Sequence, residues 1–297
     1  MNPQGLGVAL ATPFDPAHAL DIPGLVRLVQ HVARGGAEFV VALGSTGEAA
    51  MLDDAERDQV VTTVRAHCGP LPMVVGTGAS STAQAIAWSQ RAAGLGAAAA
   101  LVVVPPYTRP TQAGIVAHFA AIARAVPSLP LIAYNVPSRT GQNLLPATMR
   151  ELWSLGNVVA IKESSGDLQQ IARIAADLPA GRTLLAGDDA LLLPAVAVGG
   201  RGIVSVAGNV VPSAMRELLD HALAGNLPAA RAAQARLLPL FEALGAEPNP
   251  IPIKAALALA GIGDDAVRLP LLPASTNTRE RLRHALARLN EVAHARP

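Results

Sequence analysis

Short, continuously apolar runs rich in valine, isoleucine and leucine recur along most of this chain, each followed by a turn and then by an Ala/Leu/Arg-rich stretch of helical period. Eight stand out: GVALATPF (7–14), FVVALGS (39–45), PMVVGTG (72–78), AALVVVPP (99–106), PLIAYNVP (130–137), VVAIKES (158–164), TLLAGDD (183–189) and GIVSVAG (202–208). Their lack of apolar–polar alternation marks strands covered on both faces, as in a parallel sheet. The runs start mostly about 25 to 34 residues apart, closer near the end, so each interval has room for a helix and two loops. Eight βα units in succession predict a closed (β/α)8 barrel, a TIM barrel of the α/β class. The rival, an open doubly wound sheet, would usually carry a GxGxxG turn after its first strand, and here that place holds TPFDPAHALD.

About ninety residues beyond the eighth run show helical period only: VPSAMRELLDHALAG, LPAARAAQARLLPLFEAL, PIPIKAALALAG and STNTRERLRHALARLNEVA. That exceeds what closing a barrel requires. With Gly225 and the proline-rich EPNPIP as punctuation, the chain divides into a catalytic barrel over 1–224 and a C-terminal helical extension over 225–297. The extension is expected under the barrel or at a subunit contact.

Composition narrows the function. The net charge is +1 with acidic and basic residues interspersed, which argues against a nucleic-acid groove or a polybasic membrane patch. Aromatics at 3% of residues argue against base stacking, so a small molecule is the expected ligand. Cys68 is the only cysteine, which excludes an internal disulfide and a CxxC centre and implies a reducing compartment. The opening MNPQGLGVALATPF lacks a charged leader, and the longest uncharged apolar stretch, GLGAAAALVVVPP, falls short of a membrane span. A cytoplasmic protein with no membrane partner is the expectation.

The residues that carry chemistry emerge from a bias. Of the 23 basic residues only Lys162 and Lys254 are lysine. Arginine can replace lysine wherever a charge on a long stem suffices, but its guanidinium stays protonated and cannot attack a carbonyl. Lys162, in VVAIKESSGD, ends an apolar run before a polar turn, where a barrel strand delivers a side chain to an active site. Lys254 lies inside an apolar helical stretch and reads as a survivor of the composition bias. The two tyrosines, Tyr107 in VVVPPYTRPTQ and Tyr134 in LIAYNVPSRTG, likewise follow apolar runs and precede turns. An isolated buried tyrosine is usually core with its hydroxyl satisfied. Three such ends in one chain point to a shared pocket.

The other polar strand ends are Thr12; Ser45, Thr46 and Glu48; Thr77; Arg109; Asn135, Ser138 and Arg139; Glu163; Asp188 and Asp189; and Ser205. A lysine, two phenols, adjacent hydroxyls and an arginine suit imine chemistry on an anionic carbonyl substrate. Burial at the centre of a barrel desolvates an ammonium and favours the neutral, nucleophilic amine. The hydroxyls can then pass protons in a chain. Such chemistry needs no metal and no cofactor. A metal-dependent aldolase would want converging ligands, yet His18, His31, His67, His118, His221, His284 and His294 all fall in helical or loop segments. The turns GSTGE, GTGAS and GGRG could cradle phosphate, though glycines there more often serve tight geometry. GDD reads as a strand-to-helix turn with an N-cap.

Taken together, ATPF, GSTGE, GTGAS, PPYTRPTQ, YNVPSRTG, IKESSGD, GDD, GIVSVAGN, EPNPIPIK and RLPLLP resemble, in order and spacing, the dihydrodipicolinate synthase (4-hydroxy-tetrahydrodipicolinate synthase) family. That family belongs to the class I pyruvate aldolases, which include N-acetylneuraminate lyase. The resemblance implies condensation of pyruvate with L-aspartate 4-semialdehyde, a step of lysine and diaminopimelate biosynthesis. It implies a pyruvate imine on Lys162, with Tyr134 as proton donor and acceptor, a relay of Ser45, Tyr134 and Tyr107, and Tyr107 reaching a neighbouring subunit's site. Thr46 and the backbone of Val204 would hold the pyruvate carboxylate, Arg139 the carboxylate of the semialdehyde, and Gly187 completes the substrate-binding set. The family usually forms homotetramers built from tight dimers.

Arg139 suits a short substrate with its own carboxylate, whereas sugar-acid lyases typically lack an arginine there. Ser45 departs from the synthases' usual threonine and is common among the lyases, so another class I pyruvate-dependent aldolase or lyase is the alternative. A non-catalytic homologue on the same barrel is the contrasting reading, and the retained lysine, tyrosines and hydroxyl pair weigh against it. Many family members are inhibited by lysine through a tyrosine, an asparagine and a glutamate. Here those places hold Pro106, Ser80 and Gln84, which predicts weak or absent feedback.

Overall fold

Each of the eight apolar runs forms a strand in the computed structural model, which describes residues 3–294. The strands are β1 (Gly5–Ala9), β2 (Phe39–Ala42), β3 (Met73–Gly76), β4 (Ala99–Val103), β5 (Leu131–Asn135), β6 (Val158–Glu163), β7 (Thr183–Ala186) and β8 (Gly202–Ser205). All neighbours pair in parallel, and β1 pairs with β8, so the sheet closes into a barrel in chain order.

The strands are shorter than the apolar runs at their C-terminal ends. β1 stops at Ala9 although apolar residues continue to Phe14, because the loop beyond is itself buried. β1 also begins two residues earlier than expected, at Gly5, whose amide bonds the Arg201 carbonyl.

Alternate residues of each strand face opposite ways, and both faces meet apolar neighbours. Ala9, Phe39, Val41, Val74, Leu101, Ile132, Tyr134, Ala160, Leu185 and Val204 fill the barrel interior. Residues between them, such as Val8, Val40, Val75, Ala100, Ala133 and Ile161, pack outward against helices. The continuous apolar runs therefore record two buried faces. Gly7 leaves the space that the Phe39 ring occupies, since a Cβ there would meet that ring at 2.2 Å.

The surrounding helices are α1 (Ile22–Arg34), α2 (Asp54–His67), α3 (Thr82–Gly94), α4 (Gln112–Ala125), α5 (Pro137–Thr140), α6 (Pro146–Leu152), α7 (Leu168–Ala176), α8 (Leu192–Ala197) and α9 (Pro212–Leu223). Local chemistry starts them. Asp53 and Glu56 form a reciprocal capping box on α2, and Asp21, Ser81, Thr111 and Asp167 cap α1, α3, α4 and α7.

Gly225, at a positive φ, turns the chain from α9 into α10 (Leu227–Leu244), followed by α11 (Ile251–Leu259) and α12 (Thr276–His294). This extension was expected beneath the barrel or at a subunit contact. Its 248–250 segment, before α11, lines a cavity together with residues from the C-terminal strand ends. No helix among the described residues is long and apolar enough to cross a membrane.

Candidate active site

Register brings the two principal candidates together. Tyr134 on β5 pairs with Lys162 on β6, so both point into the barrel from its C-terminal end. The two side chains are buried, at 6% and 5% exposure, and Lys162 Nζ lies 4.3 Å from the Tyr134 ring centre. Among the described residues no carboxylate pairs with Lys162.

The next register pair, Asn135 and Glu163, faces the other way. Asn135 Nδ2 donates to both Glu163 oxygens at 3.1 and 3.0 Å, and the Ser165 amide donates to Glu163 Oε1 at 2.7 Å. Burial pushes the Glu163 carboxyl above its ordinary pKa, against the pull of these bonds. Glu163, a strand-end candidate, thus sits outside the barrel interior and stiffens the β5–β6 rim beside Lys162.

Lys254 answers differently from Lys162. Its reading as a bystander fails, because Nζ is buried at 1% exposure, ion-paired with Glu48, and donates to the Ala266 carbonyl at 2.7 Å. Phe14 lies beneath it at 3.9 Å. Burial lowers the Lys254 pKa from 10.5 to about 8, and Glu48 pulls it back up. Both lysines of this arginine-rich chain are buried, and among the described residues only Lys254 has a carboxylate partner.

Glu48 ends the loop that carries two further candidates. Ser45 and Thr46 lie in a 3-10 turn over Ser45–Gly47, directly after β2, and Thr12 Oγ1 holds that turn by donating to the Gly47 carbonyl at 2.7 Å. Glu48 follows in the left-handed region at φ 51°. Its two oxygens then take Lys254 Nζ and, at 3.0 Å, the Arg268 amide.

A cavity of about 470 Å³ opens over this end of the barrel, lined by Ser45, Tyr134, Arg139 and Asn249 among others. Lys162 stands against the Tyr134 ring and is not itself part of that lining. Arg139, on α5, donates from Nη2 to the Asn249 carbonyl at 2.9 Å. Val204 is fully buried in the barrel interior with Tyr134. Gly187 follows β7, and a Cβ there would lie 1.9 Å from Ser164 Oγ and 2.9 Å from Lys162 Cε. Only glycine leaves Lys162 its position.

Tyr107 is the outlier. It is 91% exposed, in the left-handed region at φ 70°, and is not among the residues lining the cavity. Thr77 bonds Ser89 of α3. Asp188 caps the turn after β7, in agreement with the reading of GDD, but Asp189 does something else. It is buried, accepts from Ser205 Oγ and the Val206 and Ala207 amides, and joins the β7 and β8 loops. Burial raises its pKa. Asn249, on the cavity wall, was not among the candidates at all.

The sequence model described as the Dihydrodipicolinate synthetase family matches residues 2–289. The chain belongs to that family. Among relatives of the dihydrodipicolinate synthetase family, the 4-hydroxy-tetrahydrodipicolinate synthase of Cyanothece sp. is 46% identical, over 95% of this chain and 96% of the relative. The dihydrodipicolinate synthase of Thermotoga maritima superposes with a TM-score of 0.93 at 38% identity, over 97% of this chain and 98% of that one. The chloride-inhibited enzyme of Acinetobacter baumannii, solved as a complex with pyruvate, gives 0.94 at 38% identity, over 97% and 99%.

Proposed function

We propose that this chain is a 4-hydroxy-tetrahydrodipicolinate synthase, a lyase of lysine biosynthesis that joins pyruvate to L-aspartate 4-semialdehyde through an imine on Lys162. The observation that carries the reading is the register pair of Tyr134 and Lys162, buried side by side at the C-terminal end of the barrel with Lys162 Nζ 4.3 Å from the Tyr134 ring centre. Its membership of the family and the synthase names of its relatives support the same activity.

In this mechanism the neutral Lys162 amine attacks the pyruvate carbonyl, and the resulting carbinolamine loses water to give the imine. Tyr134 supplies and takes the protons, with Ser45 and Tyr107 completing the relay. The protonated imine draws electrons from its neighbouring methyl carbon. Loss of a proton there leaves an enamine, which attacks the aldehyde carbon. The amine of the second substrate then displaces Lys162 and closes the ring.

Thr46 and the Val204 backbone hold the pyruvate carboxylate, and Arg139 takes the carboxylate of the aldehyde. Gly187 keeps the lysine's end of the pocket open. The exposed Tyr107 serves the site of a neighbouring protomer in a homotetramer, and the enzyme works in the cytoplasm.

A condensation assay with both substrates tests the reading. Turnover that falls sharply in Arg139→Ala, through a raised KM for the aldehyde, is the expected result. Turnover with a sugar-acid aldehyde and none with the semialdehyde would replace it by another pyruvate aldolase.

A further inference from the structure

Thr46, buried in the turn after β2, and Arg139, on α5 in the cavity lining, come from different elements, and one residue of the C-terminal extension touches both. Asn249 donates from Nδ2 to Thr46 Oγ1 at 2.9 Å, and its backbone carbonyl accepts from Arg139 Nη2 at 2.9 Å. The segment is anchored close by, where Lys254 of α11 pairs with Glu48, the residue that ends the Ser45–Gly47 turn.

The direction of the side-chain bond matters. Thr46 Oγ1 accepts from the amide, so its own hydrogen points elsewhere, and no acceptor among the described residues takes it. A hydroxyl loaded in this way is a stronger donor to an anion. The other end of the amide, Asn249 Oδ1, has no hydrogen-bond partner among the described residues.

We propose that Asn249 is a positioning residue whose side-chain amide sets the Thr46 hydroxyl as a donor to the pyruvate carboxylate, while its backbone carbonyl separately holds Arg139. The inference rests on the reading of Thr46 as a pyruvate ligand. The two contacts are separable by mutation, because truncating the side chain leaves the carbonyl in place.

Steady-state kinetics on Asn249→Ala, Asn249→Asp, Thr46→Val and the Thr46→Val/Asn249→Ala double variant test it. Asn249→Ala raises the KM for pyruvate roughly tenfold, because the Thr46 hydroxyl loses the donor that orients it toward the carboxylate, and leaves the KM for the aldehyde unchanged. Asn249→Asp raises it further, because a carboxylate takes the Thr46 hydrogen and sets negative charge beside the anion. The two sites are non-additive in the double variant. A packing role predicts the reverse order, with the near-isosteric Asp milder than Ala, and that order would overturn the proposal. So would an unchanged pyruvate KM in both Asn249 variants while Thr46→Val raises it. If Thr46→Val itself leaves the pyruvate KM untouched, the assignment of Thr46 fails and the proposal falls with it.

Discussion

Tyr134 and Lys162 are register partners on β5 and β6, and Lys162 Nζ lies 4.3 Å from the Tyr134 ring centre. Parallel pairing puts both on the inward face, so the ring that packs the lysine also carries a hydroxyl beside it. Tyr134→Phe separates the two roles. The ring stays, so thermal denaturation should show a midpoint within about 3 °C of the parent. The hydroxyl that the proposed mechanism uses as proton carrier goes, so kcat should fall by roughly 10²- to 10⁴-fold. A kcat within threefold of the parent would remove Tyr134 from the proton path.

Lys254→Met tests the second lysine as a structural cation. The change leaves Glu48 buried beneath the active-site loop without its main partner, a loss of about 3–5 kcal/mol. Thermal denaturation should register a large drop, and the double variant Lys254→Met/Glu48→Gln should recover part of it. An unchanged midpoint in the single variant would contradict the ion pair.

The eight strands and their order were legible in the sequence because two-sided burial makes each strand a continuous apolar run. Their ends were not, since Leu10, Ala11 and Phe14 are as buried in the loop after β1 as the strand itself. Lys162 and Tyr134 could be singled out because rarity and strand-end position coincided. Asn249 could not: its partners Thr46 and Arg139 lie 203 and 110 residues away, and no local pattern marks such a contact. The Lys254–Glu48 pair spans 206 residues. Yet the scarcity of lysine that pointed to Lys162 applied equally to Lys254, and a lone charge in an apolar helix was the signal for a buried partner.

His118 gives a pH dependence with a defined sign. It is buried on α4 against Thr82, and burial lowers its pKa from 6.5 to about 4. Between those values the unfolded chain binds a proton that the folded chain does not, so stability falls as pH drops from 6.5 toward 4, by about 1.4 kcal/mol per unit. Glu163 and Asp189, raised by burial, act with the opposite sign and are common to parent and variant. The urea midpoint at pH 7 minus that at pH 5 should therefore be more positive for the parent than for His118→Gln. Equal differences would contradict a buried neutral imidazole.

Pro106, Ser80 and Gln84 leave little with which to recognise an amino-acid effector. The Ser80 hydroxyl is spent on the Pro106 carbonyl at 3.0 Å, and proline offers neither a phenol nor a stacking face. Adding L-lysine to about 1 mM, far above the affinity of a specific effector site, should leave the initial rate unchanged. Half-inhibition below that concentration would show that this surface binds lysine by other means.

In the proposed mechanism Lys162 forms the covalent intermediate. Mass spectrometry of peptides from protein reduced with borohydride in the presence of pyruvate tests it most directly. A pyruvate-derived adduct is expected on the peptide containing Lys162, absent when pyruvate is omitted and absent in Lys162→Arg. No adduct, or an adduct confined to Lys254, would contradict it.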